Sequence, residues 1–430
     1  MPSAVVAPRH LGGHRTLTKR SASPPTSPTK TGLGQDQLRR NNLSALLTRV
    51  HLHGSISRAS LTRGLGLNRS TIGGLAATLE DLGLVTERQP SAVRQSGRPS
   101  LVLEPRRDNV AVAVDIGVDR IVTALVALGG DVLHQRQRPH APGEHDVTHV
   151  IESAAQMVED LLVAEPAARC LGIGVSVPGA VRDSDGFVRF APNLGWVDQP
   201  FTELFSERVG TRVFTGNDAN LGVLAEHLRG AAVGHADVAY VNGSVGIGGG
   251  FLVGGVPLHG SRGYAGEVGH LLVDGSSTLQ CRCGNVGCWE TKVGENQLLV
   301  RAGRLPGGGP EGVAEVIAAA AAGEKRAADA LDDVGQWIGA GLRAVINVFN
   351  PEVIVLGGSM AALWQARQDV VDKTLDRWTL MSPRSDVIIR ASAFGLASPW
   401  RGAAEMVFAP VLADPASVLE LSTPAQAGVG

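Results

Sequence analysis

The sequence predicts an α/β chain led by a small winged helix-turn-helix unit, and three observations carry this. Apolar runs end in glycine turns: VAVAVDIG from Val110, LGIGVSVPG from Leu171, YVNGSVGIGGG from Tyr240 and VIVLGG from Val353. Short apolar runs bounded by such turns are buried strands. Segments of helical period follow them, as in NLGVLAEH after Asp218, VGQWIGAGLRAVINVFN from Val334 and SPWRGAAEMVFAPVL from Ser398. Ahead of all this, residues 35–105 read as helix, short helix, glycine turn, helix and two strands, which is the helix-turn-helix order with a wing.

In that leading unit, Leu43, Leu46, Leu47 and Val50 recur at helical spacing. Ser57 is a natural N-cap for a helix over Arg58–Gly64. Asn68 caps a third helix that turns Ile72, Leu75, Leu79 and Leu82 inward, and Gly83 closes it. Leu84–Val85 and Leu101–Leu103 pair as strands around the basic loop ERQPSAVRQSGRPS. The outward start of the third helix carries Asn68, Arg69, Ser70 and Thr71, where such helices meet base edges and phosphates. The loop adds Arg88, Arg94 and Arg98, suited to a narrow minor groove. A packing module without DNA is the competing reading. Gly73 and Gly74 interrupt the third helix and remove two side chains that could read bases. Base readout is therefore expected to rest on Asn68, Arg69 and Ser70, with the wing and DNA shape contributing the rest.

With 430 residues the chain has room for two or three domains. A hydrophobic share of 43% fits a globular protein, and the net charge of -2 gives no overall pull toward nucleic acid. The distribution is less neutral. Residues 1–34 hold Arg9, Arg15, Lys19, Arg20 and Lys30 and no acid, with many Ser, Thr and Pro. A disordered basic tail is expected there, either drawn to phosphates or merely solvated. The start lacks an unbroken apolar run, and no stretch is apolar enough to span a membrane. Free thiols in a cluster fit a reducing compartment, so the cytoplasm is the expected location. Aromatic residues at 4% argue against a stacking platform for single strands.

After a polar linker, EPRRDN, the second domain is expected over residues 106–412, with 413–430 a frayed tail. Asn217–Asp218 ends a strand before a helix, a place where α/β proteins put a carboxylate at a cleft. Cys170 stands apart from the other thiols and reads as a small buried filler.

The densest chemistry lies in the loop 263–290, GYAGEVGHLLVDGSSTLQCRCGNVGCWE. Three of the chain's 4 cysteines, Cys281, Cys283 and Cys288, sit close together with His270 upstream. Three thiolates and an imidazole are a closed tetrahedral set for a structural zinc. Gly284 and Gly287 allow the tight fold this needs. Cys281 and Cys283 are too close for a relaxed disulfide. Reduced thiols beside an unrelated histidine are the alternative. Four protein ligands leave no open position for a catalytic water, so the metal would hold the loop rather than react. Glu267 and Glu290 flank the set, and fixed carboxylates near a histidine can bind several hydroxyls.

GYAGEVGH followed by CRCGNVGCWE resembles the signature of the ROK family (repressors, open reading frames and sugar kinases). ISRASLTRGLGLNRSTIGGLAATLEDLGLV with GRPS is similar to the DNA-binding domain of its repressors. The resemblance covers roughly residues 35–410. It implies an actin-like (ribonuclease H-like, ASKHA) two-lobed sugar-kinase-type fold with a cleft between the lobes. It also implies that Asn193, Asn217, Asp218, Glu267, His270 and Glu290 bind a sugar, Asp218 matching the general base of the kinases. Two departures matter. The family's first phosphate loop runs Asp-x-Gly-Gly-Thr, but here it is Asp115-Ile116-Gly117-Val118-Asp119; the second loop has Val245 in place of a threonine. The expectation is therefore a sugar-responsive repressor of carbohydrate genes with no catalytic residues. It is expected to be a homodimer or homotetramer on a pseudo-palindromic operator, its effector a sugar or sugar derivative. Ligand closure of the cleft would reposition the DNA-binding domains. The alternative is an ATP-dependent sugar kinase with an appended DNA-binding module.

Overall fold

The computed structural model describes residues 34–89, 100–140 and 145–421. Two five-stranded sheets form its body. In the first, Asn109–Ile116 is central. It runs antiparallel to Arg120–Ala127 and, beyond that, Val132–Pro139; on its other side it runs parallel to Arg169–Val177 and then Val213–Asn217. In the second, Val238–Gly243 takes the centre. Ile247–Val253 and Val256–Pro257 lie on one side, Val353–Gly358 and Ile388–Ala391 on the other. Counted within each sheet, both have the order 3-2-1-4-5. Two lobes thus share one topology even though their sequences barely match.

The apolar runs are unbroken because both faces of each central strand are covered. Val110, Val112 and Val114 face the helix Val147–Ala164, while Ala111 and Ala113 face the helix Ser398–Ala413. The parallel pairing puts the ends of Asn109–Ile116, Val213–Asn217, Val238–Gly243 and Val353–Gly358 at one cleft between the lobes. Gly357–Gly358 is a strand-to-helix crossover into Ser359–Ala366.

The leading unit has the predicted order. Helix Gln35–His53 buries Leu43, Leu46, Leu47 and Val50. Ser57 caps helix Arg58–Leu65 by accepting from the Ser60 N–H at 3.1 Å, and Asn68 caps helix Arg69–Asp81 through the Thr71 N–H at 2.8 Å. Val85–Arg88 then pairs with Val102–Pro105, and Ile56–Ser57 adds a third strand. This unit is not a loosely tethered bead. Its apolar core continues into Ala111, Ala113, Trp400, Phe408 and Val411 of the first lobe.

The expected frayed tail begins later than Ala413: a 3₁₀ turn at Pro415–Ser417 and a short helix, Val418–Leu421, follow, and residues 422–430 lie outside the described residues. Val418 is fully buried in the same core, so there is apolar burial to hold the segment down. Cys170 is half-buried in its strand, and burial raises its thiol, in line with a filler role.

Candidate functional site

The helix Asp218–Arg229 presents its N-terminus to the cleft. Around it Asn193, Asn217, Asp218, Glu267, His270 and Glu290 line one cavity of about 590 Å³, open to solvent. Six residues spread over nearly a hundred positions therefore meet at one point. Their freedom differs. The Asp218 carboxylate accepts from the Ala219 N–H at 2.8 Å and from Asn242 Nδ2 at 3.4 Å. Burial, then the charge of Asp115, pushes its pKa up to about 7. Burial also raises Glu267. Asn217 lines the cavity and also caps the helix. Its Oδ1 accepts from the Ala219 and Asn220 N–H groups, each at 3.0 Å, and its Nδ2 donates to the Gly179 carbonyl at 3.0 Å. An amide held at both ends positions the helix.

The metal candidates also converge. The ligand atoms of His270, Cys281, Cys283 and Cys288 all lie within 4.8 Å of one another. Cys281 Sγ is 3.6 Å from His270 Nδ1, and Cys283 Sγ is 3.8 Å from Cys288 Sγ. A tetrahedron with bonds of about 2.3 Å has edges of roughly 3.7 Å, so the donor set fits a four-coordinate metal. Gly284 and Gly287 adopt φ of 93° and 74°, the left-handed conformation anticipated for the knuckle. At Gly287 a side chain would also strike the Asp274 carbonyl, 2.2 Å from where Cβ would stand. The loop is anchored to the second lobe by Trp289. This ring is fully buried, lies against Gly341 and donates to the Trp337 carbonyl at 2.8 Å.

The two rings of function share His270. Its Nδ1 faces the thiols and Glu290, whereas Nε2 faces Glu267 at 3.8 Å. A metal on Nδ1 fixes the proton on Nε2, giving a donor aimed at the cleft. Arg282, between two of the cysteines, reaches across to accept nothing and donate to Asn193 Oδ1 at 2.5 Å. The loop of the second lobe thereby holds a cleft residue of the first.

Beside this cavity and sharing Asp218 lies a larger chamber of about 1060 Å³. Gly117, Asp119 and Val245 line it, so both altered loops face one space. Asp115 and Glu295 add carboxylates, and burial pushes Asp115 to about 6 and raises Glu295. Arg120 is paired with Asp119 at 2.9 Å.

In the leading unit, Arg69 and Ser70 are exposed at the start of the third helix and Thr71 is half-exposed. Asn68 is exposed and caps the helix: its Oδ1 takes both the Thr71 N–H and the Ser70 hydroxyl, each at 2.8 Å. Arg88 is also exposed and pairs with Glu104 on the neighbouring strand at 2.6 Å. Arg94 and Arg98 lie outside the described residues, as does the basic tail. Gly73 has a packing reason, since a Cβ there would stand 3.3 Å from the Arg58 guanidinium, while Gly74 faces open space.

The family model described as "ROK family" matches residues 111–409. The chain belongs to the ROK family. Among its relatives, the putative xylose repressor of a Caldicellulosiruptor species is 31% identical over 74% of this chain and 82% of its own length. The xylose repressor of Bacillus subtilis is 30% identical over 76% and 84%. The fold matches a ROK family transcriptional regulator, a homologue of the E. coli Mlc protein, with a TM-score of 0.71, 24% identity, and coverage of 89% of this chain and 98% of the other. It also matches a ROK glucokinase from Streptomyces griseus, solved with glucose and AMPPNP, with a TM-score of 0.60, 26% identity, and coverage of 69% and 99%. The kinase match leaves out about a third of this chain; the regulator match spans most of it.

Proposed function

We propose that this ROK protein is a sugar-responsive transcriptional repressor whose cleft binds a sugar and whose leading unit binds DNA. The observation that carries the proposal is the asymmetry of the cleft. Its sugar side holds Asp218, Glu267, His270, Glu290 and Asn193 around one cavity, whereas its phosphate side keeps the loop's Asp115 but places Asp119 beside it and lacks the two loop hydroxyls. Phosphoryl transfer depends on positioning and neutralising phosphates, so a base without that clamp serves as a hydroxyl acceptor. The names of the relatives support a repressor, and make xylose the first sugar to test.

The metal is proposed to be zinc, structural, bound by His270 Nδ1 and the thiolates of Cys281, Cys283 and Cys288. It would keep Glu267, Glu290 and Arg282 in register. Arg69, Ser70 and Thr71 are proposed to enter the major groove, with Arg94 and Arg98 from the wing. A dimer on a two-fold operator follows from the usual geometry of such helices. Among the described residues no helix is long and apolar enough to cross a membrane; a cytoplasmic location is part of the proposal.

The test is fluorescence anisotropy of the purified protein on DNA from upstream of its own gene, at fixed salt, with and without D-xylose, D-glucose and other sugars. Phosphate contacts make salt decisive. Tight binding changed by one sugar supports the reading; no specific DNA binding together with ATP turnover favours the kinase.

A further inference from the structure

We infer that the helix Asp218–Arg229 carries the state of the cleft to the leading helical unit, and that Arg229, Glu405 and His51 form the joint at its far end. The inference rests on the ligand-responsive reading above and names the route of that response.

The helix has the cleft at one end and the junction at the other. Asp218 lines the cavity at its first residue. Eleven residues on, about 17 Å away at 1.5 Å per residue, Arg229 leaves the last turn for the first helix of the leading unit. Its Nη2 donates to the His51 carbonyl at 3.0 Å, and its Nη1 to that of Leu52 at 3.4 Å. Both carbonyls belong to the last turn of helix Gln35–His53, where a cation also complements the helix dipole. Glu405, on helix Ser398–Ala413, joins the two: it takes Arg229 Nε at 2.6 Å and His51 Nε2 at 2.7 Å. His51 Nδ1 in turn accepts from the Gly129 N–H at 3.0 Å. His51 is fully buried and Glu405 is 5% exposed. Burial alone would raise the Glu405 carboxyl, but His51 and Arg229 outweigh it and hold it at about 2.

Between its ends the helix is clamped. A Cβ at Gly402 would stand 1.8 Å from the Leu221 carbonyl, one at Gly250 2.1 Å from that of Ala219, and one at Gly222 2.3 Å from the Tyr240 ring. Gly250 and Tyr240 belong to the second lobe, and helix Ser398–Ala413 packs on the first. The helix therefore lies between the lobes, in backbone contact with both sides. Any change in their relative position must move it or its neighbours, because so close a packing has no slack. Breaking a buried charge joint of this kind leaves its partners uncompensated. A rigid rod with one end at the cavity and the other at the leading unit is a contiguous element through which coupling can be carried.

The experiment uses the full-length, metal-loaded protein. Sugar affinity is measured by calorimetry with D-xylose, and DNA affinity by anisotropy with and without saturating xylose, for wild type, Arg229→Lys and Arg229→Ala. The lysine variant keeps an ion pair to Glu405 while losing the two-armed grip on His51 and Leu52, and it guards against misfolding of the alanine form. Typical coupling between sites is roughly 5–150-fold. The expected result is that both variants bind xylose within about twofold of wild type and still bind DNA, while the xylose-induced change in DNA affinity falls toward one. Unchanged coupling in both variants overturns the inference, as does loss of xylose affinity itself. A wild type whose DNA affinity ignores xylose while the sugar binds overturns the ligand-responsive reading, and the inference with it.

Discussion

The two chambers of the cleft share Asp218 and are otherwise opposites. On one side, polar groups are supplied by a loop that carries four candidate metal ligands, and Arg282 and His270 connect it to Asn193 and Glu267. On the other, Asp119 is tied to Arg120, Val245 replaces a hydroxyl, and Asp115 and Glu295 bring desolvated acid. One side has its polar groups supported by neighbouring contacts; the other departs from the family's phosphate-loop pattern. The difference teaches where a test of sugar binding against nucleotide binding should be aimed.

That contrast is open to direct attack. The largest effect is expected from Cys283→Ser: metal content, read by atomic absorption, falls to near zero, and sugar binding, read by calorimetry, is lost with it. A metal-free variant with normal sugar affinity would break the claim that the cluster organises the sugar side. Asp218→Asn comes next. A hydrogen bond to a charged group contributes about 1.5–3 kcal/mol, so sugar affinity should drop roughly 10–150-fold while DNA affinity is spared. The same residue gives a pH test. Its folded pKa of about 7 lies above its unfolded value, so it favours the fold at low pH and loses that contribution as pH rises through 7. Sugar binding needs the ionised acceptor and should run the other way, strengthening through pH 7 in the wild type and staying flat in Asp218→Asn.

Outside the cleft, Gly74→Ala sets a scale for an indifferent change. The site is open, so the variant should gain about 1 kcal/mol of stability from helix propensity, seen as a raised melting temperature, with no change in sugar affinity. The smallest effect is expected for Val245→Thr on the phosphate side: sugar affinity within about twofold of wild type, and still no ATP turnover in a coupled assay. A gain of turnover would show that the phosphate side is one hydroxyl from function.

The metal cluster was legible in the sequence because its ligands are near neighbours and their spacing is itself the signal. The caps at Ser57 and Asn68 were equally local. What escaped was what side chains do once the chain has folded. Nothing in the sequence marks Asn217 as bonded to the Gly179 carbonyl or Arg88 as paired with Glu104, since those partners are brought up only by the fold. Arg282 reads as one more basic residue until the two lobes face each other. His51 and Glu405 are 354 positions apart, and no periodicity links them. The order of the segment from Asp414 to Leu421 depended on Val418 joining the apolar core shared by the leading unit and the first lobe, which composition cannot show.

The central claim is tested most directly by calorimetry on the metal-loaded protein, titrated separately with D-xylose, D-glucose and Mg-ATP, with ADP release followed in the same samples. The account predicts saturable heat with a sugar, none with Mg-ATP, and no ADP formed when both are present. Saturable nucleotide binding with sugar-dependent ADP release would contradict it and make the chain a kinase that carries a DNA-binding unit.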